Sequence, residues 1–175
     1  KVSHTPFEKQ ARITVETNFF GTLSLTKAFL PMLRHSPSPR IINIASSAGR
    51  LSILPSIQRQ QDFSSDTLTM DELEEYMTQF ISNVEDGVHV ENGWPNTCYG
   101  ASKVAIIAMT KILARDEPSM MVNSVDPGYC ATDQNNNQGY IPAERGAVTP
   151  YLLSTLPDEQ FFSAVHWYQE QEIQW

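Results

Sequence analysis

Tyr99 and Lys103 stand four residues apart in the stretch Tyr-Gly-Ala-Ser-Lys. On a helix, residues at that spacing share one face. A tyrosine hydroxyl ordinarily titrates near about 10, too high for acid–base work at neutral pH. A neighbouring ammonium favours the phenolate and brings the hydroxyl toward a useful range. The pair could therefore pass a proton to a developing alkoxide. The bland alternative is a surface tyrosine and lysine on an ordinary helix, because only two positions are fixed. Three other stretches invite the same double reading. Asn43-Ile-Ala-Ser-Ser-Ala-Gly49 carries serines that could hold a carbonyl oxygen or simply cap a turn. Asn18-Phe-Phe-Gly-Thr22 places two residues of poor helix propensity within a helical pattern, as a functional site or a kink would. Pro127-Gly-Tyr-Cys-Ala-Thr132 is either a loop folding over a ligand or a plain turn.

Elements that would position these residues follow from the periodicity. Ile13, Phe20, Leu23, Leu25, Phe29, Leu30 and Leu33 predict a long helix over 7–33, ended by Pro31 and the His35-Ser-Pro-Ser-Pro39 breaker. Arg40 to Ala45 reads as a short buried strand. The stretch 50–98 is polar and acidic. Within it Thr69-Met-Asp-Glu72 is a capping box opening a helix with Met70, Leu73, Met77, Phe80 and Val84 on its apolar face. A helix over 99–116 shows Val104, Ile107 and Ile112 on one face. A second buried strand covers 120–125, a polar loop covers 134–138, a helix starting at Pro142 runs to Leu156, and a last strand is expected at Phe161 to Val165. In open α/β sheets, ligands sit beyond the carboxyl ends of the strands, where Ser46 and Pro127 both fall. Helices alternating with short apolar strands predict an α/β fold with a parallel sheet.

Composition narrows the classes. The 175 residues suit one domain or a piece of one, and 41% apolar with 18% charged residues argues for a packed chain over a disordered one. A net charge of −8 repels phosphate backbones, so no nucleic-acid partner is expected. No apolar run approaches bilayer-spanning length, so no membrane partner is expected either. Two cysteines, Cys98 and Cys130, make no disulfide framework, which fits a reducing, cytoplasmic location. No metal-ligand spacing occurs. No nucleophile elbow or triad-like motif surrounds the four histidines, which argues against a hydrolase. Lys1 at the start, with no signal-like segment after it, reads as a fragment or a processed product.

The order of the four stretches resembles the short-chain dehydrogenase/reductase family along the whole chain. The resemblance implies the C-terminal part of a Rossmann-type doubly wound parallel sheet. It also implies a catalytic tetrad of Asn18, Ser46, Tyr99 and Lys103, with Ser46 preferred over Ser47 because it stands three after Asn43 and three before Gly49. The wide gap between Ser46 and Tyr99 is similar to that of the monomeric NADPH-dependent carbonyl reductases, as are Thr5-Pro-Phe7, Gly93-Trp-Pro95, Gly146-Ala147 with Thr149-Pro-Tyr-Leu152, and Gln174-Trp175. The chain is then one partial catalytic domain, 1–175, with a helical insertion at about 50–98 ahead of the tyrosine, and a monomer when full length.

What the resemblance implies chemically is hydride transfer from NADPH to a small-molecule ketone, aldehyde or quinone. Tyr99 would protonate the alkoxide and Ser46 would hold the carbonyl oxygen. Lys103 would assist Tyr99 and bind the nicotinamide ribose. Asn18 would hold a relay water. Pro127, Gly128, Cys130, Ala131 and Thr132 would line the cofactor loop. Val2 and Gln10 would line the substrate side.

Some features depart from the pattern. No clustered glycines provide a pyrophosphate turn, so that half would lie upstream of Lys1. Asp126 stands where a small or apolar residue is usual. The link Asp116 to Ser119 is short, and Asn135 to Asn137 replace part of the substrate loop. A sheet without its first strands would leave an open edge and an uncovered helix face. Two other readings therefore stay open: a truncated, non-catalytic relative acting as a binding protein, and an epimerase or dehydratase of related fold.

Overall fold

The computed structural model describes residues 5–175, so the expectation for Val2 lies outside the described residues. The long N-terminal helix forms as the spacing predicts, but in three parts: α1 (Phe7–Val15), a π-turn (Glu16–Phe20) and α2 (Gly21–Leu33). Its buried residues are Ala11, Val15, Phe19, Leu23 and Thr26. These recur mostly in steps of four, and each such step overshoots a regular α-helical turn by about 40°. The wider π-turn absorbs that drift and keeps one face inward. The apolar face expected from sequence is therefore partly wrong: Ile13 and Leu25 are more than 60% exposed, and Phe29 is 48% exposed. Small Ala11 and Val15 let the helix pack closely on its neighbours instead.

Strand β1 (Arg40–Ile44) pairs in parallel with β2 (Met121–Asp126), in the register Arg40 to Met121 through Ile44 to Val125. A two-stranded parallel pair, β3 (Cys130–Ala131) and β4 (Ile141–Pro142), lies outside the main sheet. Strand β2 then pairs in parallel with β5 (His166–Tyr168), which turns back into the antiparallel β6 (Gln171–Ile173). The main order is β1-β2-β5-β6. It is an α/β fold whose sheet is parallel except at that edge. Every residue of β2 is buried. Val122 joins the main core, whereas Met121 and Val125 are buried outside it, so both faces of β2 are covered.

The last strand sits later than the expected 161–165. Asn123 explains the shift: its amide donates to the Phe162 carbonyl at 2.7 Å and its oxygen accepts from Val165 N–H at 3.1 Å. Those backbone groups are spent on a side chain, and Ala164 turns through a φ of 65°, so ladder pairing starts at His166. The β5–β6 hairpin turns at Gln169 and Glu170, both at positive φ, which suits the strand twist. It escapes a sequence reading because neither residue is a glycine.

Between the two central strands come α3 (Ile57–Ser64), α4 (Met70–Glu85) and α5 (Cys98–Asp116). The Thr69 capping box is present, with Glu72 accepting from Thr69 N–H at 2.8 Å and Thr69 Oγ1 accepting from Glu72 N–H at 3.3 Å. Leu73, Met77, Phe80, Ile81 and Val84 bury the face of α4. Helix α3 has one buried residue, Phe63, too little periodicity to be read in advance. Helix α5 is buried on most sides rather than on the single face that Val104, Ile107 and Ile112 imply, because it lies between the sheet and α1 and α4. The helix expected from Pro142 to Leu156 divides at Ala147 into α6 (Ala143–Gly146) and α7 (Val148–Thr155), with Pro142 as its N-cap. The expected 134–138 loop opens on a single 3₁₀ turn, Asp133–Asn135. No described helix is long and apolar enough to cross a membrane.

Candidate active site

The carboxyl ends of β1 and β2 open into a cavity of about 760 Å³ whose lining includes Ser46, Tyr99, Lys103, Asp126, Gly128 and Thr132. Three elements position these groups. Strand β1 runs into Ser46, whose extended backbone starts a 3₁₀ turn over Ser47–Gly49. Ser46 Oγ accepts from Ala48 N–H at 3.2 Å, so the capping reading of this serine is realised. Its hydroxyl proton has no acceptor among the described residues and remains available to a ligand. Thr97 caps α5, accepting from Gly100 N–H at 3.0 Å, and so places Tyr99 in the first turn and Lys103 in the second.

Lys103 is half-buried and its Nζ lies 5.6 Å from the Tyr99 ring centroid. The same Nζ donates to the Ile44 carbonyl at 2.7 Å, which ties the lysine to the end of β1. Burial pulls its ammonium below the usual lysine range, and the charge of Asp126 opposes that pull. An ammonium has three donors, and one is used. The two that remain suit a pair of vicinal hydroxyls such as a ribose presents. Tyr99 is 41% exposed toward the cavity, with its hydroxyl unpartnered among the described residues.

Asn18 does not line this cavity. It borders an adjoining groove of about 580 Å³ between α2 and β1, which Lys103 also borders. Its amide donates to Ser102 Oγ at 3.0 Å, and Ser102 donates to the Tyr99 carbonyl at 2.7 Å. Ser102 thus links the π-turn to the tyrosine's helical turn. Sequence reasoning missed it, although it stands beside Lys103 in the same short motif.

The Pro127 loop lies on the opposite wall. Cys130 Sγ donates to the Pro127 carbonyl at 3.2 Å. Asn135 fastens the loop, donating to the Cys130 carbonyl at 2.7 Å and accepting from Thr132 N–H at 3.2 Å. So one asparagine of the polar run builds the wall of the site. Ala131 is in β3 and is not part of the cavity lining, whereas Cys130 and Thr132 are. Gln10 lies outside the lining as well, its amide donating to the Thr5 carbonyl at 2.6 Å.

Gly49 sets how closely the serine turn approaches α5. A Cβ there would stand 2.6 Å from the Lys103 carbonyl carbon and 2.8 Å from its oxygen, and backbone cannot move aside. The Gly49 carbonyl is held from the other side by the Trp175 indole N–H at 2.7 Å. Gly49→Ala is expected to destabilise the chain by about 1–3 kcal/mol through overpacking, measured by urea unfolding. A loss within experimental error would mean that the turn is free to move.

The short chain dehydrogenase family model matches residues 2–56. Carbonyl reductase 1 (NADPH) of Rattus norvegicus is 37% identical over 163 residues, covering 89% of this chain and 58% of that protein. The (+)-neomenthol dehydrogenase of Capsicum annuum is 39% identical over 150 residues, covering 83% of this chain and 47% of that protein. Among solved structures, salutaridine reductase from Papaver somniferum superposes with a TM-score of 0.86 at 28% identity, covering 94% of this chain and 56% of that one. The chain therefore spans roughly half the length of the proteins it matches.

Proposed function

We propose that this chain, which belongs to the short-chain dehydrogenase/reductase family and is similar to its carbonyl reductases, is the catalytic part of an NADPH-dependent reductase of small carbonyl compounds. One observation carries the reading: Ser46, Tyr99 and Lys103 border the same cavity at the carboxyl ends of β1 and β2. We take the chain as one catalytic domain, with 50–98 inserted ahead of the tyrosine, working as a monomer in the cytoplasm.

When bound, NADPH supplies the hydride. Everything else falls to the chain's own groups. Ser46 donates a hydrogen bond from its free hydroxyl to the substrate carbonyl oxygen and stabilises the charge that grows there. Tyr99 delivers a proton to that oxygen. Lys103, fixed by the Ile44 carbonyl, would present its remaining donors to the nicotinamide ribose and its charge to Tyr99. Asn18 keeps the tyrosine's turn in place through Ser102 and borders the groove in which a relay water would reach Lys103. Cys130 and Thr132, on the opposite wall, would hold the nicotinamide side of the cofactor.

The test is NADPH oxidation by the 175-residue chain with a quinone such as menadione, followed across pH. Turnover is expected, and its alkaline limb carries information. Lysine is charged below its pKa, and burial lowers that pKa for Lys103. Activity that needs the ammonium is therefore present at lower pH and lost as pH rises through a value below the usual lysine range of about 10.4. No turnover at any pH would mean that the catalytic reading of this chain holds only with the pyrophosphate-binding half added. It would leave the non-catalytic one, which draws on the groove along the outer edge of β1, where Leu25 and Phe29 are exposed beside an edge open to an added strand.

A further inference from the structure

Asp126 closes β2 and is 5% exposed. A carboxylate that deep is kept only where its charge is met. Two backbone N–H groups meet it: Oδ2 accepts from Ser47 at 2.9 Å, and Oδ1 accepts from Gly128 at 2.8 Å. One belongs to the turn after β1 and the other to the turn after β2. The first turn carries Ser46, and the second opens the loop that reaches Thr132. Among the described residues, Asp126 forms no ion pair, and the ammonium that shares its cavity is Lys103.

We propose, building on the reductase reading above, that Asp126 is a positioning residue of the site: it clamps the serine turn to the Pro127–Gly128 turn, and it holds a negative charge toward Lys103. The clamp fixes how far Ser46 stands from the opposite wall, and so where a carbonyl can sit between them. The charge offsets part of the pull that burial exerts on the lysine. An asparagine of the same shape would keep one acceptor, set an NH2 against the other backbone N–H, and bring no charge.

Other groups bear on the same lysine. Tyr99 faces it from α5, while Tyr129 and Cys130 border the cavity from the loop, and Arg40 lies along the groove by β1. Tyr168 stands across from Asp126 on β5, and His166, across from Ser124, is held neutral toward lower pH by burial, with Asp126 opposing this too. Asp126 is the one carboxylate in either lining. Its removal is thus the change that should move Lys103 most.

Amine labelling of the folded chain over a pH series, read lysine by lysine by mass spectrometry, tests this directly. In Asp126→Asn, the pH of half-labelling at Lys103 is expected to fall by about one unit, while exposed Lys9 stays where it was. Amide exchange should quicken roughly tenfold at whichever of Ser47 and Gly128 is left facing the NH2, as the loss of one hydrogen bond implies. Asp126→Ser serves if the asparagine variant does not fold. In the unaltered chain both amides must already be protected, which needs no variant. An unshifted Lys103, unchanged exchange in a folded variant, or unprotected amides in the unaltered chain would each overturn the proposal. None of these readouts needs turnover. A chain that fails to oxidise NADPH yet shows them would count against the reductase reading for this chain by itself and leave the clamp standing.

Discussion

Tyr99→Phe is expected to lower kcat for carbonyl reduction by about 10²–10⁴-fold, the range that a positioned general acid supplies. The phenyl ring keeps the shape and packing of the tyrosine. The lost hydroxyl bonds nothing among the described residues, and the ring is 41% exposed. The melting curve should therefore stay in place while the rate collapses. NADPH affinity should change far less than kcat, because Lys103 is still anchored to the Ile44 carbonyl. An interaction made only in the transition state shows this split. The measurement is steady-state NADPH oxidation of both forms beside their urea unfolding curves. A phenylalanine variant within about threefold of the parent would remove Tyr99 from proton transfer.

Trp94→Ala should give the largest stability loss of any single truncation outside the site. Trp94 is 1% exposed, and its indole meets Phe80 edge-on at 5.3 Å and Phe63 at 6.1 Å. The Arg59 guanidinium lies 3.6 Å from its ring centroid. One side chain thus joins α3, α4 and the approach to Tyr99. Removing it leaves a cavity bounded by rigid rings and a cation without its π-face. Truncations of this kind cost about 3–5 kcal/mol, a large fraction of a typical domain stability of about 5–15 kcal/mol. Burial already pulls the Arg59 guanidinium below its usual range, so the arginine gains solvent rather than a new partner when the indole goes. Urea unfolding decides the matter, and a loss under about 1 kcal/mol would show that this corner repacks.

The positions of Tyr99 and Lys103 were legible because helical period alone puts them on one face; strand ends pointed to Ser46 or Ser47, and the family resemblance chose Ser46. Helix α4 was legible because Thr69 and Glu72 cap each other locally. What escaped depends on partners far away in sequence. Asp126 bonds Ser47 from 79 residues away, and nothing near either residue announces the other. Asn123 redirects the 162–165 backbone from 39 residues away. Ser102 gains its meaning from Asn18, 84 residues upstream. The groove side of α2 was misjudged for a different reason: Leu25 and Phe29 are apolar and periodic, yet a π-turn sets which face points inward.

That π-turn also bears on how the chain tolerates changes in length. Between Glu16 and Phe20 the backbone is wound more widely than an α-helix, and the inward face on either side depends on it. Deleting one residue there would let the turn close into ordinary helix at little local cost. The inward positions would then recur in steps of four, three, four and three, the regular α-helical stripe, so the residues beyond it would keep their facing. Leu23 and Thr26 would stay in the core, and the loss would be local: the turn that aims Asn18 at Ser102. Relatives one residue shorter between 16 and 20 should therefore keep the fold but lose the bond that ties Asn18 to α5, so that residue count there marks a working site more than a folded chain.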